Sequence, residues 1–377
     1  MRVLFIAGYE HPVYHRKIEL LADAPEVELL HITVDGYGKD AGVYPSANGA
    51  KNYTVKTFAP YWLGHHGDPH RSLLRTLDFC MRRFKPHVVH AESDLESIGT
   101  AQVTLARQIF APRTALVHYS WQNILRKRSV FVRGITQLSL RATSHLICAS
   151  NEATTVAHRQ GYSRDSSVMP LVGLDTRYFC PKPATALAPR LNLSGMVIGY
   201  VGRIVRDKGL DTLLQATANV SAPVTLLIVG DGDERSNLQM LANSLQIAER
   251  CRFVGAVPYD SVSDYLNAMD VLVLPSRTTA HWKEQFGRVL VEAMGCRVAV
   301  VGSDSGAIPE VIGNADQIFH EGDADALASI LNRLAADATL LDDWRERGYR
   351  RALANFTVER LAERVLTIWH ALDLKSR

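Results

Sequence analysis

Short apolar runs alternate with longer amphipathic stretches along almost the whole chain. A short apolar run is typical of a buried strand, whereas apolar residues at three- and four-residue spacing indicate a helix. Their alternation predicts βα units and parallel sheets. The strands predicted in the first half are Val3–Ala7, Glu28–Thr33, Val88–His90, Thr114–His118 and His145–Ala149, and the helices are Lys17–Ala22, Arg71–Phe84 and Ile98–Ile109.

The same alternation resumes after residue 193. The strands predicted there are Val197–Val201, Val224–Val229, Cys251–Phe253, Val271–Pro275 and Arg297–Gly302, with helices near Leu210–Thr217, Glu234–Leu245, Ser261–Met269 and Gly287–Met294. A last helical pattern, Val358–Leu372, has no strand after it. We expect this helix to return to the first domain.

A proline-rich segment separates the two series. Residues 173–193 contain Pro181, Pro183 and Pro189, as an interdomain linker should. We therefore predict an α/β protein with two doubly wound, Rossmann-like domains, residues 1–180 joined by the helix 357–377, and residues 181–356. Open parallel sheets bind ligands at the carboxyl ends of their strands, so two such domains would face each other across a cleft.

The composition is that of a soluble globular protein: 377 residues, 47% apolar, with 42 Lys+Arg against 39 Asp+Glu. No apolar run is long enough to span a membrane. Polar residues follow the apolar start Met1–Gly8 at once, so this run is too short for a signal peptide. We interpret it as a strand. The five cysteines are scattered without a CxxC pair, so we expect neither a disulfide framework nor a zinc site, and a cytoplasmic, reducing location.

The two halves differ in charge. Residues 1–190 hold 23 Lys+Arg and 15 Asp+Glu, whereas residues 191–377 hold 19 and 24, which favours two domains with different tasks. Two basic stretches lie in the first half: Arg71, Arg75, Arg82, Arg83 and Lys85, and Arg126, Lys127, Arg128 and Arg133 around Phe131. Such stretches are usually solvated faces. No nucleic-acid-binding module accompanies them, so we expect no nucleic-acid partner.

Candidate chemistry begins where the strand 197–201 ends. Gly202 and Arg203 follow it, and Lys208 comes just before a predicted helix. A glycine turn lets backbone amides approach a diphosphate, while Arg offers a fork of donors and Lys a point charge. Solvated loop cations would fit the same spacing. The turn Gly230–Asp233 after the next strand is a weaker signal, more often a plain βα turn than a site.

The segment His281–Met294 holds two carboxylates eight positions apart, Glu284 in a loop and Glu292 inside the following helix. Gly287 and the amides of the first helical turn would offer unpaired donors to a phosphate or a sugar hydroxyl, and the helix dipole favours negative charge there. Glu292 could accept the vicinal diol of a ribose. The segment therefore favours a nucleotide site.

Together these segments resemble the nucleotide-binding half of retaining glycosyltransferases of family 4, which have the GT-B fold of two Rossmann-like domains. The shared patterns, in chain order, are G-R-x4-K-G, V-G-x-G, E-x-F-G-x4-E-A-M and G-S-D-S-G-A-I-P-E-V-I-G. The resemblance is dense over residues 197–320 and looser but collinear elsewhere.

The resemblance implies that Arg203 and Lys208 contact the donor diphosphate and neutralise the leaving nucleoside diphosphate, a task that a metal performs in other glycosyltransferases. It implies no metal ion and no cofactor, with a UDP-, GDP- or dTDP-sugar as donor. Glu292 would bind the ribose hydroxyls. The other implied donor-site residues are Gly202, the acid Glu284 facing the sugar, and the backbone amides of Phe286, Gly287, Arg288 and Val289.

Two residues depart from the family pattern E-A-M-A-C-G-x-P. Arg297 stands where glycine is expected at the helix end, and Ala299 stands where proline is expected. A left-handed residue is usual at that helix end, so the missing glycine could cost on the order of 1 kcal/mol unless Gly295 shifts the turn. The departures concern local stability more than the ligand.

The first domain is less clearly marked. Gly8 alone represents the glycine pair that the family often has after its first strand, and it is a phosphate-loop candidate or an ordinary βα turn. The resemblance makes His118, at the end of the fourth strand, the candidate to hydrogen-bond the donor sugar. Trp121, Gln122 or Asn123 could face the cleft instead, and His118 could be structural.

We expect a retaining glycosyltransferase that moves a sugar from a nucleoside-diphosphate sugar to a hydroxyl of a glycan, a lipid-linked acceptor or a small molecule. His90–Asp94 could help receive that acceptor or could simply cap its strand. Relatives that glycosylate lipids meet anionic bilayers through their first domain, so peripheral contact with the inner membrane face is a further expectation. The alternatives are a GT-B sugar-nucleotide epimerase and a non-catalytic sugar-nucleotide-binding partner of another transferase.

Overall fold

The computed structural model describes residues 1–9, 15–34, 53–58, 60–62, 73–75, 77–183 and 187–376. The chain forms two compact units: unit 1 comprises Met1–Gly173 and Val358–Arg377, and unit 2 comprises Leu174–Thr357. Leu174 and Phe179 are buried in the core of unit 2, so unit 2 begins a few residues before position 181.

The described strands are β1 (Arg2–Ala7), β2 (Glu28–Val34), β3 (Tyr53–Phe58), β4 (Pro60–Trp62), β5 (Leu73–Leu74), β6 (Val88–Glu92), β7 (Ala115–Ser120), β8 (His145–Cys148), β9 (Ser166–Val168), β10 (Met196–Val201), β11 (Val224–Val229), β12 (Cys251–Gly255), β13 (Val271–Leu274), β14 (Ala299–Ser303) and β15 (Ile318–Phe319). The described helices are α1 (His15–Ala22), α2 (Leu77–Phe84), α3 (Ile98–Phe110), α4 (Val130–Ala142), α5 (Asn151–Arg159), α6 (Leu187–Arg190), α7 (Leu210–Ala218), α8 (Arg235–Ser244), α9 (Val262–Leu266), α10 (Arg288–Gly295), α11 (Ile308–Ile312), α12 (Ala324–Ala336), α13 (Ala338–Asn355) and α14 (Val358–Ser376).

Unit 1 is built on a parallel sheet with the strand order β3-β2-β1-β6-β7-β8-β9. Alternate residues of β1 enter two different cores, because successive side chains of a strand point to opposite faces. Val3 and Phe5 pack in one core with α1 and α14, and Leu4 and Ile6 pack in the other with α2 and α3. The sheet is therefore covered on both faces, as the doubly wound prediction requires.

Unit 2 has a six-stranded parallel sheet in the order β12-β11-β10-β13-β14-β15. Its central strands are buried on both faces, which explains why they read as continuous apolar runs. The strand order reverses direction between β10 and β13, so the loops that leave these neighbouring strands diverge and open a crevice at their carboxyl ends. This switch point positions the candidate site.

The return of the last helix is confirmed. Helix α14 packs against α1 in unit 1, and Trp369 is fully buried there. The fold class predicted from the sequence is thus confirmed for both units. Among the described helices, not one has both the length and the apolar character needed to cross a bilayer.

The helix predicted from Arg71 is wrong at its start, and Arg71 itself lies outside the described residues. Leu73 and Leu74 form β5, which pairs with β4, and α2 begins at Leu77. The side chain of Gln102 accepts a hydrogen bond from the Leu74 amide at 2.8 Å and donates one to the Leu74 carbonyl at 2.7 Å. This long-range amide contact fixes an extended backbone that periodicity along the chain could not reveal.

The strand predicted from Arg297 begins instead at Ala299, because Arg297 closes helix α10. Arg297 adopts the left-handed conformation itself, with φ 58°. Its amide bonds to the Met294 carbonyl and the Val298 amide to the Ala293 carbonyl, both at 3.0 Å, which is the Schellman pattern. The turn has not shifted to Gly295, which is the last residue of α10.

Gly295 has a packing reason of its own. A Cβ at this position would lie 2.8 Å from both methyl carbons of Leu174 and 3.1 Å from the Phe179 carbonyl oxygen. The glycine therefore lets the segment that opens unit 2 lie directly against α10.

Candidate functional site

The loop after β10 is held in a tight turn at the switch point. Gly202 has φ 153°, and the Tyr200 hydroxyl donates a hydrogen bond to the Arg203 carbonyl at 2.7 Å. A Cβ on Gly230 would lie 1.9 Å from the Gly202 carbonyl oxygen. The two glycine turns that the sequence analysis singled out thus pack against each other, and the one at 230–233 supports the loop that begins at Gly202.

The same loop is tied to the end of β13. Gly209 has φ 66° and caps α7, and a Cβ there would lie 2.1 Å from the Pro275 carbonyl oxygen. The Arg277 amide donates to the Asp207 carbonyl at 2.8 Å. The backbone that carries Lys208 is therefore fixed beside the loop that carries Glu284.

Lys208 and Glu284 meet directly. The ammonium nitrogen of Lys208 lies 2.6 Å from Oε2 of Glu284, and the Ser276 hydroxyl donates to the same oxygen at 2.9 Å. The ring of Trp282 covers Lys208, with its centroid 4.6 Å from the ammonium. Glu284 is 8% exposed, so the carboxylate is not a solvated loop acid.

The loop after β14 supports Glu284 from behind. The Ala307 amide donates to the Glu284 carbonyl at 3.0 Å. Gly306 has φ 56°, and a Cβ there would lie 2.0 Å from that carbonyl oxygen. This contact gives the S-G-A part of the sequence motif a structural role, because it fixes the backbone of the candidate acid.

Arg203 is exposed, and its charge acts on the Tyr200 hydroxyl, as the charge of Glu284 does. Burial raises the pKa of the Tyr200 phenol far above its usual value, the charge of Glu284 raises it further, and the charge of Arg203 opposes the shift. Arg203 and Glu284 therefore act on one hydroxyl at the end of β10. A cationic loop and a buried carboxylate share this crevice.

Glu292 lies on the buried face of α10 and has partners of its own. It is 5% exposed. Its Oε1 accepts a hydrogen bond from the Tyr259 hydroxyl at 2.8 Å and forms an ion pair with Nε of Arg288 at 3.0 Å. The Arg288 guanidinium also stacks 5.1 Å from the centre of the Tyr259 ring. Tyr259 is a residue of this site that the sequence analysis missed, since nothing in the local pattern ties it to Glu292.

Helix α10 begins at the site. Gly287 caps it with φ 78° and ψ 53°. The Leu290 amide bonds to the Gly287 carbonyl, whereas the amides of Phe286, Gly287 and Val289 find no acceptor among the described residues. These donors at a helix N-terminus suit an anionic or hydroxyl ligand.

In unit 1, His118 is part of the core. It is fully buried, and its Nδ1 lies 2.8 Å from the Thr143 hydroxyl at the end of α4. Burial lowers the pKa of this imidazole to about 3. The ring lies on the same sheet face as Leu116, the face that packs against α2 and α3, and this position favours the structural interpretation of His118.

The alternatives near His118 differ from it. Trp121 and Gln122 are partly exposed, and Gln122 donates to Asp94 at 2.9 Å. Asn123 is buried. Gly8 is partly buried directly after β1, and residues 10–14, which follow Tyr9, lie outside the described part of the chain.

A buried ionic cluster at the carboxyl end of β6 was not foreseen. Nζ of Lys17 lies 2.6 Å from Oε1 of Glu92 and donates to the Leu171 carbonyl at 2.7 Å. Nε1 of Trp369 donates to Nδ1 of His90 at 3.0 Å. Burial lowers the pKa of Lys17 to about 7 and raises that of Glu92 well above its usual value. One signal was available: Lys17 falls on the apolar face of the α1 pattern.

Residues 188–351 match the family described as glycosyl transferases group 1. The chain is similar to the phosphatidylinositol N-acetylglucosaminyltransferase GPI3 subunit of Saccharomyces cerevisiae, at 24% identity over 324 residues, 84% of this chain and 69% of the relative. It is also similar to the GDP-mannose-dependent monoacylated alpha-(1-6)-phosphatidylinositol monomannoside mannosyltransferase of Corynebacterium glutamicum, at 31% identity over 207 residues, 52% of this chain and 54% of the relative.

The fold is similar to the crystal structure of Anabaena HepE in complex with UDP. The TM-score is 0.76 at 19% sequence identity, over 98% of this chain and 100% of that one. At this identity the likeness concerns the fold alone, which is the GT-B fold expected from the sequence.

Proposed function

We propose that this chain is a retaining enzyme that transfers a sugar from a nucleoside-diphosphate sugar to an acceptor hydroxyl, because residues 188–351 match the family of glycosyl transferases group 1. The observation that carries this proposal is the 2.6 Å contact between Lys208 and Glu284 at the switch point of unit 2. The loop that carries Lys208 also carries the exposed Arg203, and amides that find no acceptor among the described residues follow shortly after Glu284 in the chain. A structural ion pair does not require either feature.

In the proposed complex the pyrophosphate lies along the loop 202–209. Arg203 supplies a fork of donors and Lys208 a compact charge, and both stabilise the negative charge that develops on the leaving nucleoside diphosphate. These two side chains are therefore assigned the charge neutralisation that a metal ion performs in other transferases. The free amides at the start of α10 would bind further phosphate or sugar oxygens.

The two glutamates take different tasks. Glu292, fixed by Tyr259, would accept the ribose hydroxyls, and Glu284 would face the donor sugar. In the transfer step the bond from the anomeric carbon to the phosphate oxygen breaks, and a bond from that carbon to the acceptor oxygen forms on the same face. The acceptor proton passes to the departing phosphate oxygen, so no protein base is required.

A lipid-linked acceptor is the acceptor class that we favour. The names of both curated relatives given above include phosphatidylinositol or a phosphatidylinositol mannoside. In unit 1, Leu125, Val130 and Phe131 are 51%, 76% and 67% exposed, and cations at 126, 127 and 133 flank them. Apolar tips among basic residues are suited to the surface of an anionic bilayer.

The function is tested with a panel of UDP-, GDP- and dTDP-sugars, by nucleoside diphosphate release and by thermal shift. We expect one donor to stabilise the protein and to be consumed when an acceptor is added. Retention is read from the anomeric configuration of the product by NMR. A donor that binds but is never consumed with any acceptor would point to the non-catalytic binding partner instead.

The membrane contact is tested by flotation with vesicles of phosphatidylcholine and phosphatidylglycerol. We expect Phe131→Ser to reduce binding to these vesicles, whereas Met240→Ser, at an equally exposed apolar residue of unit 2, should not. Equal binding by the wild type and both variants would argue against the role of Phe131.

A further inference from the structure

Unit 1 has a pocket at the amino-terminal edge of its sheet, where the strands begin. Ala115 opens β7 and Ser144 precedes β8, and both line this pocket of about 510 Å³. Ligands of open parallel sheets are expected at the carboxyl edge instead. The pocket is therefore separate from any site that the doubly wound topology would predict.

The pocket is strongly cationic. Among the described residues that line it, five are basic and none is acidic; the five are Arg107, Arg113, Arg141, Arg164 and Lys375. Among the described residues, the carboxylate that pairs with this group is Asp165, 3.2 Å from Nζ of Lys375. Both partners are about 70% exposed, so this pair neutralises little.

Helix termini do not balance the charge either. Arg107, Arg141 and Lys375 lie in the last turns of α3, α4 and α14, and a helix C-terminus carries the equivalent of about −0.5 charge. Three such termini amount to about −1.5 against five positive charges. A cationic helix cap thus explains part of the cluster and leaves a clear excess.

Two of the guanidiniums are held in place by the backbone. Nε of Arg107 donates to the Thr114 carbonyl at 2.6 Å, and Nη1 of Arg164 donates to the Thr143 carbonyl at 2.7 Å. Burial lowers the pKa of Arg107, and the charge of Arg164 lowers it further. Both guanidiniums line the same pocket, so the fold holds two like charges there in fixed positions. Beyond these two bonds, neither side chain has a hydrogen bond or an ion pair with a described residue.

We propose that this pocket binds phosphate-bearing anions. Planar guanidiniums match phosphate oxygens in pairs, and an anion between them would relieve their mutual repulsion. All five cations belong to unit 1 and none belongs to the donor site proposed in unit 2. The phosphate belongs either to a soluble phosphorylated compound or to an anionic lipid headgroup, and the two sources are separated experimentally.

The test uses the full-length protein with Lys208→Ala, so that phosphate binding at the proposed donor site is weakened in every sample. In this background the pocket variant is Arg113→Gln/Arg141→Gln, because both side chains are exposed and neither forms a hydrogen bond or an ion pair with a described residue. The control is Arg83→Gln/Arg159→Gln, which removes the same charge from exposed positions of unit 1 outside the pocket. Thermal unfolding verifies that each variant is folded.

Calorimetry with inorganic phosphate and with pyrophosphate is the first measurement. We expect binding in the background protein, about tenfold weaker or more in the pocket variant and little changed in the control. Flotation with phosphatidylcholine vesicles, with and without phosphatidic acid, is the second.

Loss of phosphate binding in the pocket variant, with vesicle binding unchanged from the background protein, assigns a soluble ligand. Loss of vesicle binding in the pocket variant but not in the control assigns a lipid headgroup. The proposal is overturned if none of these probes binds, or if pocket and control variants lose binding equally. Donor binding by the protein with an intact Lys208 is measured separately, so its failure would not be confused with failure here.

Discussion

The ammonium nitrogen of Lys208 and Oε2 of Glu284 are 2.6 Å apart although 76 positions separate the two residues along the chain. The contact joins the loops that leave β10 and β13, the two strands between which the order of the sheet reverses. The Ser276 hydroxyl binds the same carboxylate oxygen. The flexible Lys208 side chain is thus held in one orientation, which would lower the entropic cost of the diphosphate binding proposed above.

Replacement of Lys208 by alanine should lower kcat/KM by about a hundredfold or more, because the leaving diphosphate loses a preorganised cation. Release of nucleoside diphosphate measures the effect. The matched control is Arg206→Ala, an exposed cation of the same loop, which should keep nearly full activity. If both variants lost activity equally, the loop would act by its overall charge and the specific role of Lys208 would be refuted.

Tyr259→Phe should raise the KM for the donor about fivefold and leave kcat nearly unchanged. The variant removes one hydrogen bond to Glu292, a loss of about 1 kcal/mol, from a residue that we assign to the ribose and not to the reacting bond. Steady-state kinetics separate the two constants. Tyr265→Phe, elsewhere in unit 2, serves as the control, and a fall in kcat without a change in KM would contradict the assignment.

Arg297→Gly should stabilise unit 2 by up to about 1 kcal/mol, since glycine adopts the left-handed conformation without the strain of a Cβ. The exposed ion pair of Arg297 with Glu346 offsets little of this gain. Arg297→Ala loses the same ion pair but keeps the Cβ, so it isolates the conformational effect. Denaturant unfolding should rank glycine above arginine and alanine; an alanine variant more stable than the glycine variant would refute the explanation.

Acid should destabilise unit 1 through His118. Its pKa is about 3 in the folded protein against 6.5 unfolded, so the unfolded state takes up the proton first. Stability is fully present above pH 6.5 and is lost towards pH 3, by about 1.4 kcal/mol per pH unit. His118→Gln should reduce this slope in denaturant unfolding between pH 8 and pH 5, whereas His158→Gln, at an exposed position, should leave it unchanged.

The Lys17–Glu92 pair should show strong coupling. Lys17→Met or Glu92→Gln alone leaves one buried group without its partner, at a cost of about 3–5 kcal/mol. The double variant should be more stable than the less stable single variant, because neither charge then remains. The free energies of unfolding of the wild type, the two single variants and the double variant complete a double-mutant cycle. Arg360→Gln, from an exposed pair with Glu363, should change stability by less than about 0.5 kcal/mol.

Much of this fold follows from periodicity, because strands buried on both faces are short apolar runs whatever their neighbours. The first turn of the predicted helix before Leu77 fails because Gln102, distant in sequence, binds the backbone of Leu74. The roles of Glu284 and Lys208 remain predictions, although their meeting follows from the motif order and the switch point.

The sequence does not predict on which face of the sheet a given side chain lies, or which distant residues it meets there. Strand β7 runs to Ser120, two residues beyond the predicted strand end at His118, and the ring of His118 enters the core beside Thr143. Tyr259 reaches Glu292 across 33 positions of chain, and the cationic pocket draws on α3, α4 and α14 together. Each of these contacts depends on tertiary packing, which no local pattern specifies.

The hydrogen bond from Trp369 to His90 joins residues 279 positions apart. It therefore cannot form until nearly the whole chain has been synthesised. The ribosome releases all of unit 2 before the helix that completes unit 1 emerges. Unit 2 is a contiguous segment and can therefore finish folding while the sheet of unit 1 still lacks helix α14. During that interval the face of β6 that Trp369 will cover is open to chaperones, to proteases and to other nascent chains.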